Sequence, residues 1–224
     1  MQNQTDKLTW REGGVPVSTR FDDPFFSLDN GVAETEHVFL AGNDLPSRFR
    51  AGFQIAELGF GTGLNLLVAW DCWTRSGMLG PLHFTSFEAF PMAPEDMRQA
   101  HTSFPEFNGK RDLLGAAWGG AGGVFDLPGL RLEVIAGDAR TSLPAWPGQA
   151  DAWFLDGFSP AKNPELWAPE LMAEVAAHTA PDGTAATYTA AGHVRRGLAD
   201  AGFDVTRVGG YGRKRHMTRA RMPQ

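Results

Sequence analysis

The run Glu57-Leu58-Gly59-Phe60-Gly61-Thr62-Gly63-Leu64 sets a carboxylate at the end of an apolar stretch, with three alternating glycines after it. Glycines spaced in this way allow a tight turn and let a ligand approach the backbone closely. In an open α/β sheet, ligands bind outside the carboxyl ends of the strands, where such a turn would lie. Two common phosphate sites are excluded by spacing. A dinucleotide fingerprint counted from Gly59 and Gly61 would need glycine where Leu64 stands, and no Gly-Lys-Ser/Thr follows for a P-loop. A plain glycine-rich strand–helix turn is the simpler alternative.

Other acids fall at comparable places. Glu88 closes the apolar run 82–89, and a carboxylate there suits vicinal ribose hydroxyls because it accepts two hydrogen bonds and donates none. Asp138, in Gly137-Asp138-Ala139, follows the run 130–136 and could accept from an adenine amino group. Asp156 opens Asp156-Gly157-Phe158-Ser159-Pro160 after the run 152–155. E-x-G-x-G-x-G followed by acids ending successive strands is the form expected of S-adenosylmethionine methyltransferases. The cofactor set is then Glu57, Gly59, Phe60, Gly61, Gly63, Glu88, Asp138 and Asp156. Asp156 and Phe158 are the catalytic candidates, the acid to hold an acceptor amine and the ring to pack beside a sulfonium by cation–π attraction. An unperturbed aspartate, near pKa 3.9, is a poor base for an alkylammonium, so Asp156 is expected mainly to orient the amine. A capped loop at Asp156 and ordinary core packing for Phe60 and Phe158 are the structural alternatives.

These residues need a parallel sheet to bring them together. Apolar runs at 53–58, 82–89, 130–136, 152–155 and 184–189 alternate with helical patterns at 62–75, 94–101, 164–178 and 191–201. The alternation predicts an α/β fold of the Rossmann-like class I methyltransferase type, a mostly parallel sheet with helices on both faces. Runs at 203–208 and 216–221 would close it as an antiparallel pair. Residues 108–130 read as a loop-rich insertion. Residues 1–50, rich in short turns, read as an N-terminal β-hairpin extension packed on a main domain of 51–224.

The 224 residues carry 42% hydrophobic and 21% charged side chains, enough for one full core. No stretch nears the roughly 20 apolar residues of a membrane span, and the polar start is not a secretory signal. A single cysteine excludes an internal disulfide framework, no metal site is indicated, and a cytoplasmic setting is expected. Net charge is −6, but residues 191–224 hold eight basic side chains against Asp200 and Asp204. That basic end could steer a polyanion, or form a solvated ion-pair surface with the acidic remainder.

Segments along nearly the whole chain carry a more specific likeness. They include Phe26–Gly31 with Glu34-Thr35, Val38–Asn43, Glu57–Asn65, Ser86–Pro91, Asp151–Pro164 with Trp167, Ala191–Leu198 and Gly210–Arg215. In these the chain resembles the methyltransferase module, or stand-alone form, of the MnmC family of tRNA-modifying enzymes. The resemblance implies methyl transfer from S-adenosylmethionine to the amine of 5-aminomethyl-2-thiouridine at the tRNA wobble position. The partner would be a tRNA anticodon loop, gripped by Arg195, Arg196, Arg213, Lys214 and Arg215, with a separate or fused FAD-dependent oxidase acting upstream. A small-molecule N-methyltransferase and a non-catalytic RNA-binding module are the rival readings.

Overall fold

A computed structural model describes residues 7–27 and 30–224. Residues 1–6 of the N-terminal extension, and Leu28-Asp29 of the Phe26–Gly31 match, lie outside the described residues.

The chain begins with a small antiparallel sheet of β1 (Leu8–Arg11), β2 (Val15–Ser18) and β3 (Asp23–Pro24). The expected hairpin is thus present, but the extension is not all β. Helix α1 (Gly31–Thr35) follows, with Asn30 as its cap accepting from the Ala33 N–H at 2.9 Å. A π-helical turn at Glu36–Leu40 and a 3-10 turn at Ala41–Asn43 continue it. The consecutive apolar residues Val38, Phe39 and Leu40 look strand-like in sequence, yet all three are buried in a helical turn. Tertiary packing overrides so short a local preference. They share a core with Phe53, Ile55 and Phe154 of the main sheet region, so residues up to 50 contribute to the same apolar interior.

Eight strands form the main sheet: β4 (Gln54–Leu58), β5 (Leu82–Glu88), β6 (Gly123–Leu127), β7 (Leu130–Ala136), β8 (Ala150–Leu155), β9 (Thr179–Thr187), β10 (Asp204–Gly209) and β11 (His216–Arg221). Their order is β10-β11-β9-β8-β4-β5-β7-β6. The middle five run parallel, while β6 pairs antiparallel at one edge and β11 with β10 at the other. Helices α2 (Leu64–Arg75), α3 (Pro94–His101) and α4 (Asn108–Ala117) lie with α1 on one face. The other face carries α5 (Ala139–Ser142), α6 (Pro169–Ala177) and α7 (Gly192–Asp200).

The two-residue period of a strand sorts side chains between these layers. In β8, Ala152 and Phe154 join the α2 layer, whereas Trp153 and Leu155 join the α6–α7 layer. The same alternation turns Ile55 and Glu57 of β4 toward α2.

Two local expectations need correction. The stretch 108–130 holds α4 and edge strand β6 rather than an unstructured insertion, the glycine-rich loop ending as β6 begins at Gly123. The pattern over 164–178 is broken into a 3-10 turn at Pro164–Trp167 and α6 beginning at Pro169. Pro169 lacks an N–H and its ring would clash inside a continuous helix, so the break falls there. Among the described residues no helix is long and apolar enough to cross a membrane.

Candidate active site

Parallel packing brings the carboxyl ends of β4, β5, β7 and β8 to one edge, and a cavity of about 1040 Å³ opens there. Gly59, Phe60, Gly61, Glu88, Asp138, Asp156 and Phe158 all line it. Glu57 and Gly63 do not. Gly63 is the residue before α2, and Glu57 is fully buried beneath the cavity.

The turn after β4 needs its glycines for two different reasons. Gly59 has φ +92°, and a Cβ there would sit 2.3 Å from the carbonyl oxygen of Asp156. The close approach is therefore to the end of β8. Gly61 has φ +54°, and its N–H donates to Glu88 Oε2 at 2.9 Å. The other Glu88 oxygen accepts from the Phe90 N–H at 2.7 Å. One carboxylate thus braces two loops, a local role that charge and strand position alone do not reveal.

At the foot of the cavity, Asn65 in the first turn of α2 joins two acids. Its Nδ2 donates to Glu57 Oε1 at 2.9 Å and to Asp156 Oδ2 at 2.7 Å. Its Oδ1 accepts from Thr35 Oγ1 at 2.9 Å, and Ser86 Oγ donates to Glu57 Oε2 at 2.6 Å. Burial pushes the Glu57 carboxyl well above its ordinary range, against those two hydrogen bonds. Burial likewise pushes Asp156 up to about 6, opposed by the Asn65 hydrogen bond and the positive charge of Lys214, and helped by Glu34. Asp156 is therefore an acid poised near neutrality at the cavity wall, the kind of perturbation that clusters at functional sites.

Asp138 is placed differently. It caps α5 by accepting from the Arg140 N–H at 2.9 Å and pairs with the Arg140 guanidinium at 2.6 Å. The Arg140 hydrogen bond holds its carboxyl below the usual range. Its oxygens at this rim are shared with a neighbour, whereas the sequence alone suggests that they face a ligand unaccompanied.

The N-terminal segment supplies a wall that the sequence did not signal. Phe21 stacks on Phe158 with ring centroids 4.7 Å apart, and Phe25 meets Phe158 edge-on at 5.1 Å. Asp23 Oδ2 accepts from the Ser159 N–H at 2.9 Å, and Lys162 bonds both the Asp22 carbonyl and its carboxylate. These contacts strap residues 20–27 to the loop after β8. Phe60, by contrast, is buried against Trp118 at 5.1 Å, in keeping with a core role, although its ring also reaches the cavity.

The basic residues separate. Arg213 and Lys214, in the turn between β10 and β11, line the cavity, whereas Arg195, Arg196 and Arg215 do not. Lys214 Nζ lies 2.8 Å from Glu34 Oε1 and 4.0 Å above the Tyr188 ring. Arg219 and Arg221 are both spent on Asp44, at 2.5 and 3.1 Å. Among the described residues there is no cluster of ligands that could hold a metal ion.

Comparison with known proteins agrees with this layout. The model of a family described as S-adenosyl-L-methionine-dependent methyltransferase matches residues 122–223. The chain is 45% identical, over 98% of its length, to the tRNA 5-methylaminomethyl-2-thiouridine biosynthesis bifunctional protein MnmC of Stutzerimonas stutzeri. It is also 45% identical, over 96% of its length, to the protein of that name from Caulobacter vibrioides. The crystal structure of MNMC2 from Aquifex aeolicus superimposes with a TM-score of 0.75 at 27% identity, covering 100% of this chain and 73% of that one. Over nearly its whole length the chain is similar to proteins named MnmC. It spans 35% and 38% of the length of the two curated relatives.

The matching family model is described as S-adenosyl-L-methionine-dependent. The cavity fits that cofactor chemically. Glu88 and Asp138 put acceptor oxygens at the ends of β5 and β7, suited to hydroxyl and amino groups, and the braced turn at Gly61 presents backbone without side-chain bulk. Tyr188, Glu34, Thr35 and Asn65 were not singled out as site residues by the sequence. Tyr188 was the most findable, since it follows a strand at the same edge as the acids.

Proposed function

We propose that the chain methylates the amine of 5-aminomethyl-2-thiouridine at the tRNA wobble position, giving 5-methylaminomethyl-2-thiouridine. The reading is carried by one observation, an acid of raised proton affinity, Asp156, held by Asn65 at the foot of the cavity beside the glycine turn. The relatives at 45% identity are named for tRNA 5-methylaminomethyl-2-thiouridine biosynthesis, which supports this choice of product and hence of acceptor. The cofactor supplies an electrophilic methyl carbon. Everything else is asked of the chain's own residues.

The acceptor must lose a proton and point its lone pair at that carbon. A primary amine in the lysine range, about 10.4, faces an ordinary aspartate across about 6.5 pK units, or ~9 kcal/mol. With Asp156 at about 6 the gap falls to about 4.4 units, or ~6 kcal/mol. Withdrawal of the ammonium from water lowers its own pKa and narrows the gap further. Asp156 in this setting both orients the amine and accepts its proton, while Phe158, clamped by Phe21 and Phe25, packs beside the acceptor. Most of the acceleration is positioning of two bound reactants.

In this reading Glu57, Gly59, Phe60, Gly61, Gly63, Glu88 and Asp138 shape the cofactor side, with Glu57 and Gly63 acting from beneath. The N-terminal extension to residue 50 serves as the outer wall of the acceptor side. Arg195, Arg196, Arg213, Lys214 and Arg215 hold phosphates of the anticodon stem-loop, whose single-stranded wobble base can be splayed into a pocket at little cost. An FAD-dependent oxidase, separate or fused, generates the amine beforehand, and the setting is the cytoplasm.

The test is incubation with labelled S-adenosylmethionine and tRNA carrying 5-aminomethyl-2-thiouridine, followed by nucleoside analysis. Labelled 5-methylaminomethyl-2-thiouridine is expected. Asp156→Ala should abolish it while cofactor affinity stays largely intact. Near-parental turnover by that variant would remove Asp156 from the mechanism.

A further inference from the structure

Lys214 sits oddly for a phosphate contact. Its ammonium is directed into the cavity, 2.8 Å from Glu34 Oε1 and 4.0 Å over the face of Tyr188. Glu34 is held by α1 with only 14% of its side chain exposed. The Tyr188 ring is fixed by its hydroxyl, which donates to the Gly157 carbonyl at 2.7 Å, directly beside Asp156. Burial pushes this phenol upward, so it remains a neutral donor and its ring keeps its orientation. A carboxylate, an aromatic face and a nearby second carboxylate are the groups that recognise an alkylammonium. The lysine side chain carries the same group as a primary-amine acceptor: an ammonium on a CH₂ stem.

We propose that Glu34 and Tyr188, next to Asp156, form an ammonium cage for the acceptor's aminomethyl group, and that Lys214 is the internal occupant which the acceptor displaces. This rests on the function proposed above and adds to it the two residues that select a charged amine. Displacement would free Lys214 for the RNA backbone. Lys214 then has two consecutive partners, Glu34 before the acceptor arrives and phosphate afterwards. The exchange keeps Glu34 paired throughout, which matters because a partly buried carboxylate left without a partner is costly.

The cage predicts a preference that can be read as a ratio. Affinities would be measured, with S-adenosylhomocysteine present to prevent turnover, for one tRNA carrying either 5-aminomethyl-2-thiouridine or 2-thiouridine at the wobble position. The parent should favour the amine-bearing tRNA, on the order of tenfold. Glu34→Gln and Tyr188→Leu should bring that ratio toward one, while Tyr188→Phe, which keeps the ring, should retain most of it. Lys214→Met removes the competitor, so the ratio should rise even though one phosphate partner is missing for both tRNAs. A melting curve accompanies each variant. Ratios unchanged from the parent in folded Glu34→Gln and Tyr188→Leu overturn the cage. A Lys214→Met variant that weakens both tRNAs equally, with no rise in the ratio, overturns the displacement. A parent that methylates this tRNA yet shows no amine preference also overturns the cage, whereas a parent that methylates no tRNA refutes the functional reading on which it rests.

Discussion

Replacing Asp156 by asparagine should make the protein more stable above neutrality while taking away its turnover. The substitution keeps the shape and leaves an oxygen to accept from Asn65 Nδ2, now at 2.7 Å. It removes a carboxyl whose pKa burial raises from 3.8 to about 6. Because the folded value is the higher one, the stabilising contribution is complete below the unfolded pKa and is lost as pH rises through about 6. The shift of roughly two units corresponds to ~3 kcal/mol over the full range, of which ~1.4 kcal/mol falls between pH 5 and pH 8. The parent should therefore lose ~1.4 kcal/mol relative to Asp156→Asn on going from pH 5 to pH 8. In a chain of this length that is a relative Tm change of roughly 3–6 °C. Urea unfolding of both proteins at half-unit pH intervals supplies the difference curve, in which carboxylates common to the two cancel. Parallel curves across pH 5–8 would mean that Asp156 has an ordinary pKa, and the argument for its accepting a proton would go with it.

Asn65→Leu should destabilise the fold by about 2 kcal/mol or more, since Glu57, Asp156 and Thr35 are each deprived of a partner. It should also move the acidic limb of kcat/KM above about 6, because the Asn65 hydrogen bond holds Asp156 down; a pH–rate profile and urea melts check both. Changing Arg213, Lys214 and Arg215 together to alanine should weaken tRNA binding and flatten its salt dependence, by roughly 0.7 to 0.9 in log–log slope for each phosphate no longer neutralised. Titrations at several salt concentrations test this, and an unchanged slope in a folded variant would place the RNA-binding face elsewhere.

The parts of the fold legible in sequence were those where period and punctuation agree. Apolar runs ending in an acid or glycine gave the parallel strands, and the acids Glu57, Glu88, Asp138 and Asp156 stood at the carboxyl edge that the topology makes common. The helical turn at Glu36–Leu40 was not legible because Val38, Phe39 and Leu40 are equally good strand residues, and only burial against the sheet decides between them. Edge strand β6 was hidden by the glycines before it, although its alternate residues do follow a two-residue period. The partners of side chains were the least legible. Nothing local in the sequence says that Asp138 is engaged by Arg140, or that Asn65 spans two acids.

The contiguous cations Arg213-Lys214-Arg215 show why charge counting stops short of function. A run of three basic residues reads as one patch, and its summed field does not depend on where each side chain points. The tight turn between β10 and β11 breaks that equivalence. Hydrogen bonds from the Gly210 N–H to the Arg215 carbonyl and from the Lys214 N–H to the Tyr211 carbonyl fold the turn back on itself. His37 bonds the Gly209 carbonyl at 3.1 Å and thereby ties the turn to the helical segment after α1. Arg213 and Lys214 then face the cavity while Arg215 does not, and Lys214 reaches Glu34 from 180 residues away in sequence. The same charge that raises local affinity for a polyanion is, through that geometry, also the charge that lowers the proton affinity of Asp156. If the chain acts as proposed, RNA binding and acceptor chemistry are linked through a single ammonium, and drawing Lys214 toward phosphate would raise the proton affinity of Asp156.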